Sequence, residues 1–480
     1  MKKSHKITFE KTIALIIFAL IASFFLVEML MKPISGEDIF QQRHMSSSGW
    51  SGTGQTIAIT IEVIPRIGQV FHHLVIWQFH NIPTLGFETI IRLLDAVMAF
   101  SIIYIISMMA LGGKKLRLRY KDSAAAAVSF IILILSPFTE MFFKGFSNVH
   151  NYVPAVFFAL LFGYFWFWKD KLQKRLDRGW FNALFLLFGF LFASATEISS
   201  FAFTLTATMF ALWQLIYHKQ KIKTILTQSK DYLFGILGII SGFIFIFIIG
   251  NSTATTIDRA NDGYMGSSSI NSLLSNPIKV LPELTANFIH NAYSYLPFIL
   301  LAITGTVVFY QLVLKKHPKN QQLICYSHYL SLVTPVIFSI FYISLCSFVI
   351  YVTQRLTVVA FCSLLIPITY LLTSLISYLK NTKILNTIFL FSTLLITAMI
   401  IDNFIFLQRT LNATQEALIS IENNNCLDAN AVAQANIPQT SKIFRFPHTE
   451  SPFAYTQTFY YTTYYPINGR EIPIRENCNE

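Results

Sequence analysis

Charge is what this chain has least of: 12% of its 480 residues are Asp, Glu, Lys or Arg, against 54% hydrophobic. That balance excludes a soluble multidomain protein and points to an integral membrane protein. Acidic residues are the scarcer sign, 24 against 36 basic, for a net charge of +12. The excess does not indicate nucleic-acid binding, because the Lys and Arg fall in short clusters between apolar runs, where they set topology. Cysteine is sparser still, with five residues. Cys325, Cys346 and Cys362 lie in or beside apolar runs without metal-ligand spacing, as small buried hydrophobes do. Cys426 and Cys478 fall in a polar C-terminal segment, where an extracytoplasmic location would permit a disulfide. No internal repeat, heptad seam or phosphate-binding loop occurs.

Long apolar runs are plentiful. A membrane helix needs about 20 apolar residues, because the hydrocarbon layer is about 30 Å thick and a helix rises 1.5 Å per residue. By that criterion eleven spans are predicted, at 12–31, 87–111, 123–143, 152–168, 180–196, 198–217, 231–250, 291–314, 329–352, 356–378 and 384–407. The first reads as a retained signal anchor, since its run is long enough to cross and no small-residue cleavage site follows. Forty-six Phe and twenty-one Tyr suit such a bundle.

Orientation follows from the short loops. With the N-terminus inside, every second segment is basic: Lys2 to Lys11, Lys114 to Lys121, Lys169 to Arg178, Lys219 to Lys230, Lys315 to Lys319, and Lys380 with Lys383. One miscounted span would break this positive-inside alternation. The expected fold is therefore an all-α polytopic membrane protein of about 11 transmembrane helices in residues 1–407. Residues 408–480 form a small external C-terminal appendage. Its helical start continues from Leu407, and its end, Tyr455 to Tyr465, is Tyr-rich and β-like. The expected location is the cytoplasmic (inner) membrane, N-terminus inside and C-terminus outside.

Two external loops are long, 32–86 and 251–290, and each is expected to carry an interfacial helix. In the first, Glu62, Arg66, Gln69 and His73 recur at helical spacing on an otherwise apolar run, and Pro65 breaks or begins the helix. Such a stripe suits a helix lying in the membrane interface. In the second, Pro277 to His290 is amphipathic, with Lys279 and Glu283 four apart.

The unusual polar residues then fall on the external side. Glu37 and Asp38 follow the first span directly, and adjacent side chains diverge, so one carboxylate at most addresses a reacting group. An acidic pair after a span is also ordinary loop chemistry. Arg66, Arg259 and Arg355 are external cations, where cations are rarer. Arg355, in a very short turn, has the planar fork that fits a phosphate, or it snorkels to lipid headgroups. His150 and Asn151 open a span in Asn148-Val-His-Asn-Tyr-Val-Pro154, placing an imidazole where it can act as base, bond a sugar or serve structure. Glu197 sits among small residues, Ala193 to Ser200, and Glu140 is also near a span end. Arg92 and Asp95, three apart, are expected to form a salt bridge on one helix face.

The acidic pair in a long first external loop, the interfacial segments, about eleven spans and a small external C-terminal segment together resemble the GT-C-type membrane glycosyltransferases. Asn151-Tyr-Val-Pro154, Glu197 among small residues, and Gly250-Asn251 with Arg259 are similar to an uncharacterised bacterial multi-pass branch allied to them. The resemblance implies inverting transfer of a sugar from a polyprenyl-phosphate donor to an envelope glycan or lipid acceptor. Asp38, with Glu37 as the alternative, would be the catalytic base. Arg355 and Arg259 would hold the lipid phosphate, and Arg66, His150, Asn151 and Glu197 complete the expected substrate site. Two elements depart from the family pattern: its first-loop Gly-Arg stands here as Arg66-Ile-Gly68, and its Pro-Gly-Asn as Gly250-Asn251. No pattern demands a tightly held metal, although a carboxylate pair can recruit a divalent cation. The competing readings are a transporter or flippase of lipid-linked saccharides, which would place charges at the bilayer midplane, and an envelope polysaccharide polymerase or ligase.

Overall fold

The computed structural model describes residues 2–32, 66–81, 87–113, 116–143, 145–168, 172, 177–217, 232–246, 277–309, 329–347, 354–378, 382–424, 427–428, 442–444, 464–467 and 470–475. They form a helical bundle: α1 (Lys2–Met31), α2 (Ile67–Asn81), α3 (Phe87–Ala110), α4 (Tyr120–Leu135), α5 (Glu140–Phe143), α6 (Phe146–Phe167), α7 (Arg178–Ala195), α8 (Glu197–Tyr217), α9 (Leu233–Ile244), α10 (Pro277–Tyr293), α11 (Leu296–Phe309), α12 (Thr334–Cys346), α13 (Gln354–Tyr378) and α14 (Thr382–Asn424). Three short strands follow, β1 (Leu427–Asp428), β2 (Tyr464–Ile467) and β3 (Arg470–Arg475). β3 pairs antiparallel with β2 and parallel with β1.

All eleven predicted segments contain a helix, but they differ in length. Among the described residues six helices are long and apolar enough to cross a membrane: Glu10–Met31, Glu88–Ala110, Phe146–Phe167, Arg178–Ala195, Thr357–Ile376 and Ile384–Ala413. A seventh crossing results if Tyr120–Leu135 and Pro137–Phe143, bent by 84°, count as one span. The remaining four segments hold shorter apolar helices, Ile198–Leu212, Leu233–Ile244, Leu296–Gly305 and Ser331–Cys346. The bend has a local cause. Pro137 disfavours helical backbone at Ser136 and supplies no N–H. Ser136 Oγ then donates to Leu133 O at 2.7 Å and accepts from Phe138 N at 3.3 Å, so the side chain closes the turn that the backbone leaves open.

The core is aromatic and contiguous, from Phe24, Phe25 and Phe130 through Phe138, Phe162 and Phe192 to Phe361. Where backbones must approach closely the sequence supplies glycine. A Cβ on Gly238 would lie 2.3 Å from Leu186 O and 2.9 Å from Gly189 Cα, so α7 and α9 pack through glycine surfaces.

Both expected loop helices are present. α10 leaves Ile278, Leu281, Ile289 and Tyr293 exposed along one face. α2 begins immediately after Pro65-Arg66, as the proline predicted, but its polar stripe does not simply face out. His73 is buried, as are Gly68, His72 and Val75, because α2 packs against the start of α6.

Candidate functional site

Charged and titratable side chains gather at the end of the bundle where α1 stops and α3 and α6 begin. An α-helix leaves its last carbonyls without internal partners. At the end of α1 these are met by Arg92, one turn into α3, whose Nη1 lies 2.9 Å from Met29 O, 3.3 Å from Leu30 O and 2.6 Å from Lys32 O. The same guanidinium donates through Nε to Glu88 Oε1 at 2.7 Å and lies 4.6 Å from the centre of the Phe146 ring. Lys32, fully buried, forms an ion pair with Glu28 at 2.8 Å and donates to Phe142 O. Asn403 of α14 donates to the other oxygen of Glu28 at 3.0 Å. These contacts meet the requirement that a buried charge be paired and hydrogen-bonded.

One turn further along α3 is Asp95, with no exposed surface. Its Oδ2 lies 3.1 Å from Nε2 of His150, equally buried in the first turns of α6. His150 Nδ1 lies 2.8 Å from Nδ1 of His72 on α2. As a carboxylate, Asp95 only accepts, which makes His150 Nε2 a donor; neutral His150 then accepts at Nδ1, and His72 Nδ1 donates. The result is a line of hydrogen bonds from carboxylate to imidazole to imidazole. Burial, reinforced by the neighbouring His150 and His73, holds the pKa of His72 well below its ordinary 6.5, which keeps the ring neutral as the line requires. Burial likewise lowers His73 to about 4.

The line depends on Gly68. A Cβ there would stand 2.4 Å from His150 O and 3.0 Å from Asn151 Cα, so only glycine lets α2 rest on the first turn of α6. Phe71 and Phe146 pack on the His150 ring at centroid distances of 5.3 and 5.7 Å and cover it with hydrocarbon.

Several expected site residues lie at this same end. Arg66 precedes α2, half-buried and within electrostatic reach of Tyr342. Tyr342 hydrogen-bonds with Thr196 and Ser199, and Thr196 accepts from Ser199 N at 3.3 Å as α8 begins. Asn151 is half-buried, and its Oδ1 has no hydrogen-bond partner among the described residues. Glu197 opens α8, and Arg355 falls in the first turn of α13. Glu37, Asp38 and Arg259 lie outside the described residues.

One expectation is corrected. Arg92 and Asp95 do not form a salt bridge with each other: Arg92 takes Glu88 and the α1 carbonyls, and Asp95 takes His150. Both ring nitrogens of His150 are engaged within the protein. Sequence reasoning missed Glu28, Lys32, His72, Glu88 and Asn403. The first two stand four apart at the end of an apolar span, and His72 is a polar residue on the apolar side of the predicted stripe; both patterns are visible in the sequence. Among the described residues no group of three or more His, Cys, Asp or Glu side chains is arranged to hold a metal ion.

Compared with protein-family models, curated proteins and solved structures, the chain matches no family, no curated protein and no solved structure.

Proposed function

We propose that the protein is a multi-pass membrane glycosyltransferase of GT-C type. It would move a sugar from a polyprenyl-phosphate donor to an envelope glycan or lipid acceptor on the extracytoplasmic side of the cytoplasmic membrane. The observation that supports this most is where the buried charge gathers. The paired groups Glu28, Lys32, Arg92, Asp95, His150 and His72 lie at the end where α1 gives way to the loop carrying Glu37 and Asp38. The basic Lys114 to Lys121 and Lys169 to Arg178 segments follow the far ends of α3 and α6, and the positive-inside bias supports an external position for the charge-lined end.

In this reading Asp38, or Glu37 in its place, removes the proton from the acceptor hydroxyl as it attacks the anomeric carbon. Arg355, Arg259 and Arg66 stabilise the departing phosphate, and Asn151 and Glu197 line the substrate site. One base without a covalent intermediate gives inversion. A divalent cation held by the carboxylate pair would add charge stabilisation at the phosphate.

Reconstitution in liposomes with a panel of polyprenyl-phosphate sugars and an envelope glycan acceptor tests the proposal. Transfer is expected, and Asp38→Asn should abolish it. Absence of transfer across the panel, or transfer undiminished in the Glu37→Gln/Asp38→Asn double variant, would overturn it.

A second reading, transport of lipid-linked saccharides, is favoured by the 84° break between Tyr120–Leu135 and Pro137–Phe143, since broken helices line the substrate sites of many transporters. The same liposomes distinguish the two: a labelled lipid-linked saccharide that changes leaflet without being consumed favours transport. An envelope polymerase or ligase would instead lengthen or join the acceptor glycan in the transfer assay.

A further inference from the structure

We propose that the loop joining α3 to α4, at the end of the bundle opposite Arg92 and His150, holds the headgroup of an anionic phospholipid. The Arg117 and Arg119 guanidiniums and the Lys121 ammonium make the contact. The inference rests on the membrane setting of the helices and is independent of the transferase reading.

The loop is fixed from both sides. As α3 ends, Gly112 and Gly113 take left-handed φ values of 72° and 69°, and the Gly113 N–H returns to Met108 O at 2.8 Å. A side chain on Gly113 would strike the Trp168 indole, and Gly113 O accepts from the Tyr164 hydroxyl at 3.3 Å, so the turn is seated on the end of α6. Leu116 is buried next. The Asp122 carboxylate, also buried, then accepts from Arg117 N at 2.6 Å and from Arg119 N at 3.0 Å through the same oxygen. Between these two bonds Leu118 is held at a φ of 55°, which leucine rarely adopts. Asp122 thus serves the backbone rather than the two guanidiniums.

Arg117, Arg119 and Lys121 are exposed, and among the described residues none of the three forms an ion pair. The segment from Leu111 to Asp122 carries five basic residues against one acid. Glu10 of α1 lies within electrostatic reach of Tyr120 and is offset by its neighbour Lys11. The balance favours an anion, and a guanidinium fork fits phosphate oxygens in pairs. The neighbouring surface makes that anion a lipid. Tyr120 stacks on Phe389 of α14 at 4.9 Å, and its hydroxyl donates to Asn386 Oδ1 at 3.3 Å, so the loop abuts α14. From one turn beyond Asn386, Leu390, Phe391 and Leu394 are exposed, as are Leu15 and Ile16 on α1. Hydrocarbon chains cover such side chains in a membrane, which sets phosphodiester headgroups at the level of the cations.

Native mass spectrometry of the full chain in detergent, titrated with phosphatidylglycerol or with phosphatidylcholine of the same acyl chains, tests the site. The wild type is expected to bind phosphatidylglycerol more tightly. Arg117→Gln/Arg119→Gln should weaken that binding about thirty-fold at low salt and leave phosphatidylcholine binding unchanged. Both side chains are exposed, so this variant keeps the packing and decides even if a second one folds poorly. The second, Asp122→Ala, separates a built site from attraction to net charge. It makes the chain more positive, so plain electrostatics would tighten binding, whereas loss of the backbone anchor should loosen it. Equal affinity of the wild type for the two lipids, or an undiminished preference in the arginine double variant, would overturn the proposal. A preference kept or raised in folded Asp122→Ala would do the same. So would displacement of the lipid by millimolar inorganic phosphate, which would make this a site for a free anion.

Discussion

The two halves of the bundle differ in the charge of the polar groups they bond. At the end holding Arg92 and His150, charged side chains bond across helices: Asn403 to Glu28, Arg92 to Lys32 O, Asp95 to His150. In the other half the cross-helix contacts are made by neutral hydroxyls, such as Ser331 to Met109 O, and many hydroxyls turn back on their own helix. Ser107 donates to Ile103 O at 2.7 Å, Ser129 to Ala125 O at 2.6 Å, and Thr206 to Ala202 O at 2.7 Å. That half holds a small, partly open cleft, lined mainly by Met109, Leu160, Phe203 and Phe338 with Thr206 and Ser363. Thr206 would keep its backbone partner if the helices moved apart, whereas Ser363, which donates to Pro335 O at 3.2 Å, would lose its own. The charged groups at the other end would be stranded at greater cost than a neutral hydroxyl, so that end resists helix motion more strongly.

The sharpest way to break this contrast is to remove half of a cross-helix pair. Lys32→Met strands the Glu28 carboxylate and should cost about 3–5 kcal/mol, as loss of one member of a buried pair does. The double variant Glu28→Met/Lys32→Met should recover most of it, and thermal unfolding in detergent measures both.

Acid tests the same end. The fold lowers the pKa of His73 from 6.5 to about 4, so the unfolded chain binds a proton that the folded chain refuses. This contribution is intact above pH 6.5, lost as pH falls toward about 4 and level below; it amounts to about 3 kcal/mol. His73→Gln should flatten that part of the stability-versus-pH curve.

Gly68→Ala should cost about 1–3 kcal/mol through overpacking, since its methyl group must displace His150 O. Hydrogen exchange should rise in α2 with little change in α7 and α9. In the other half, Ser129→Ala should change stability by only about 0.6 kcal/mol. A loss there as large as at Lys32 would erase the distinction between the halves.

The helical architecture was legible because a membrane makes length and apolarity sufficient: every predicted segment holds a helix. Crossing length was less so. Ser136-Pro137 lies within an apolar run whose average hydropathy conceals the break. Pro65 did mark the start of α2. The partners of individual charges were not legible. Arg92 and Asp95 stand at a spacing that suits a mutual pair, yet α1 offers Arg92 several carbonyls and α6 offers Asp95 an imidazole, both from distant sequence. Spacing along one helix describes only the partners that helix can supply. His72 was overlooked because the regular stripe through His73 drew the polar face one position away.

Arg92 has a consequence for biogenesis. The carbonyls at the end of α1 are met by a side chain that follows Lys32 by 60 residues, after a long loop. While the ribosome has delivered only the first span, that helix end must be served by water or lipid headgroups. Insertion of α3 brings the guanidinium and lets the chain end withdraw from solvent. The first two spans are thus latched in order of synthesis, and α14, which brings Asn403 to Glu28, closes the latch last.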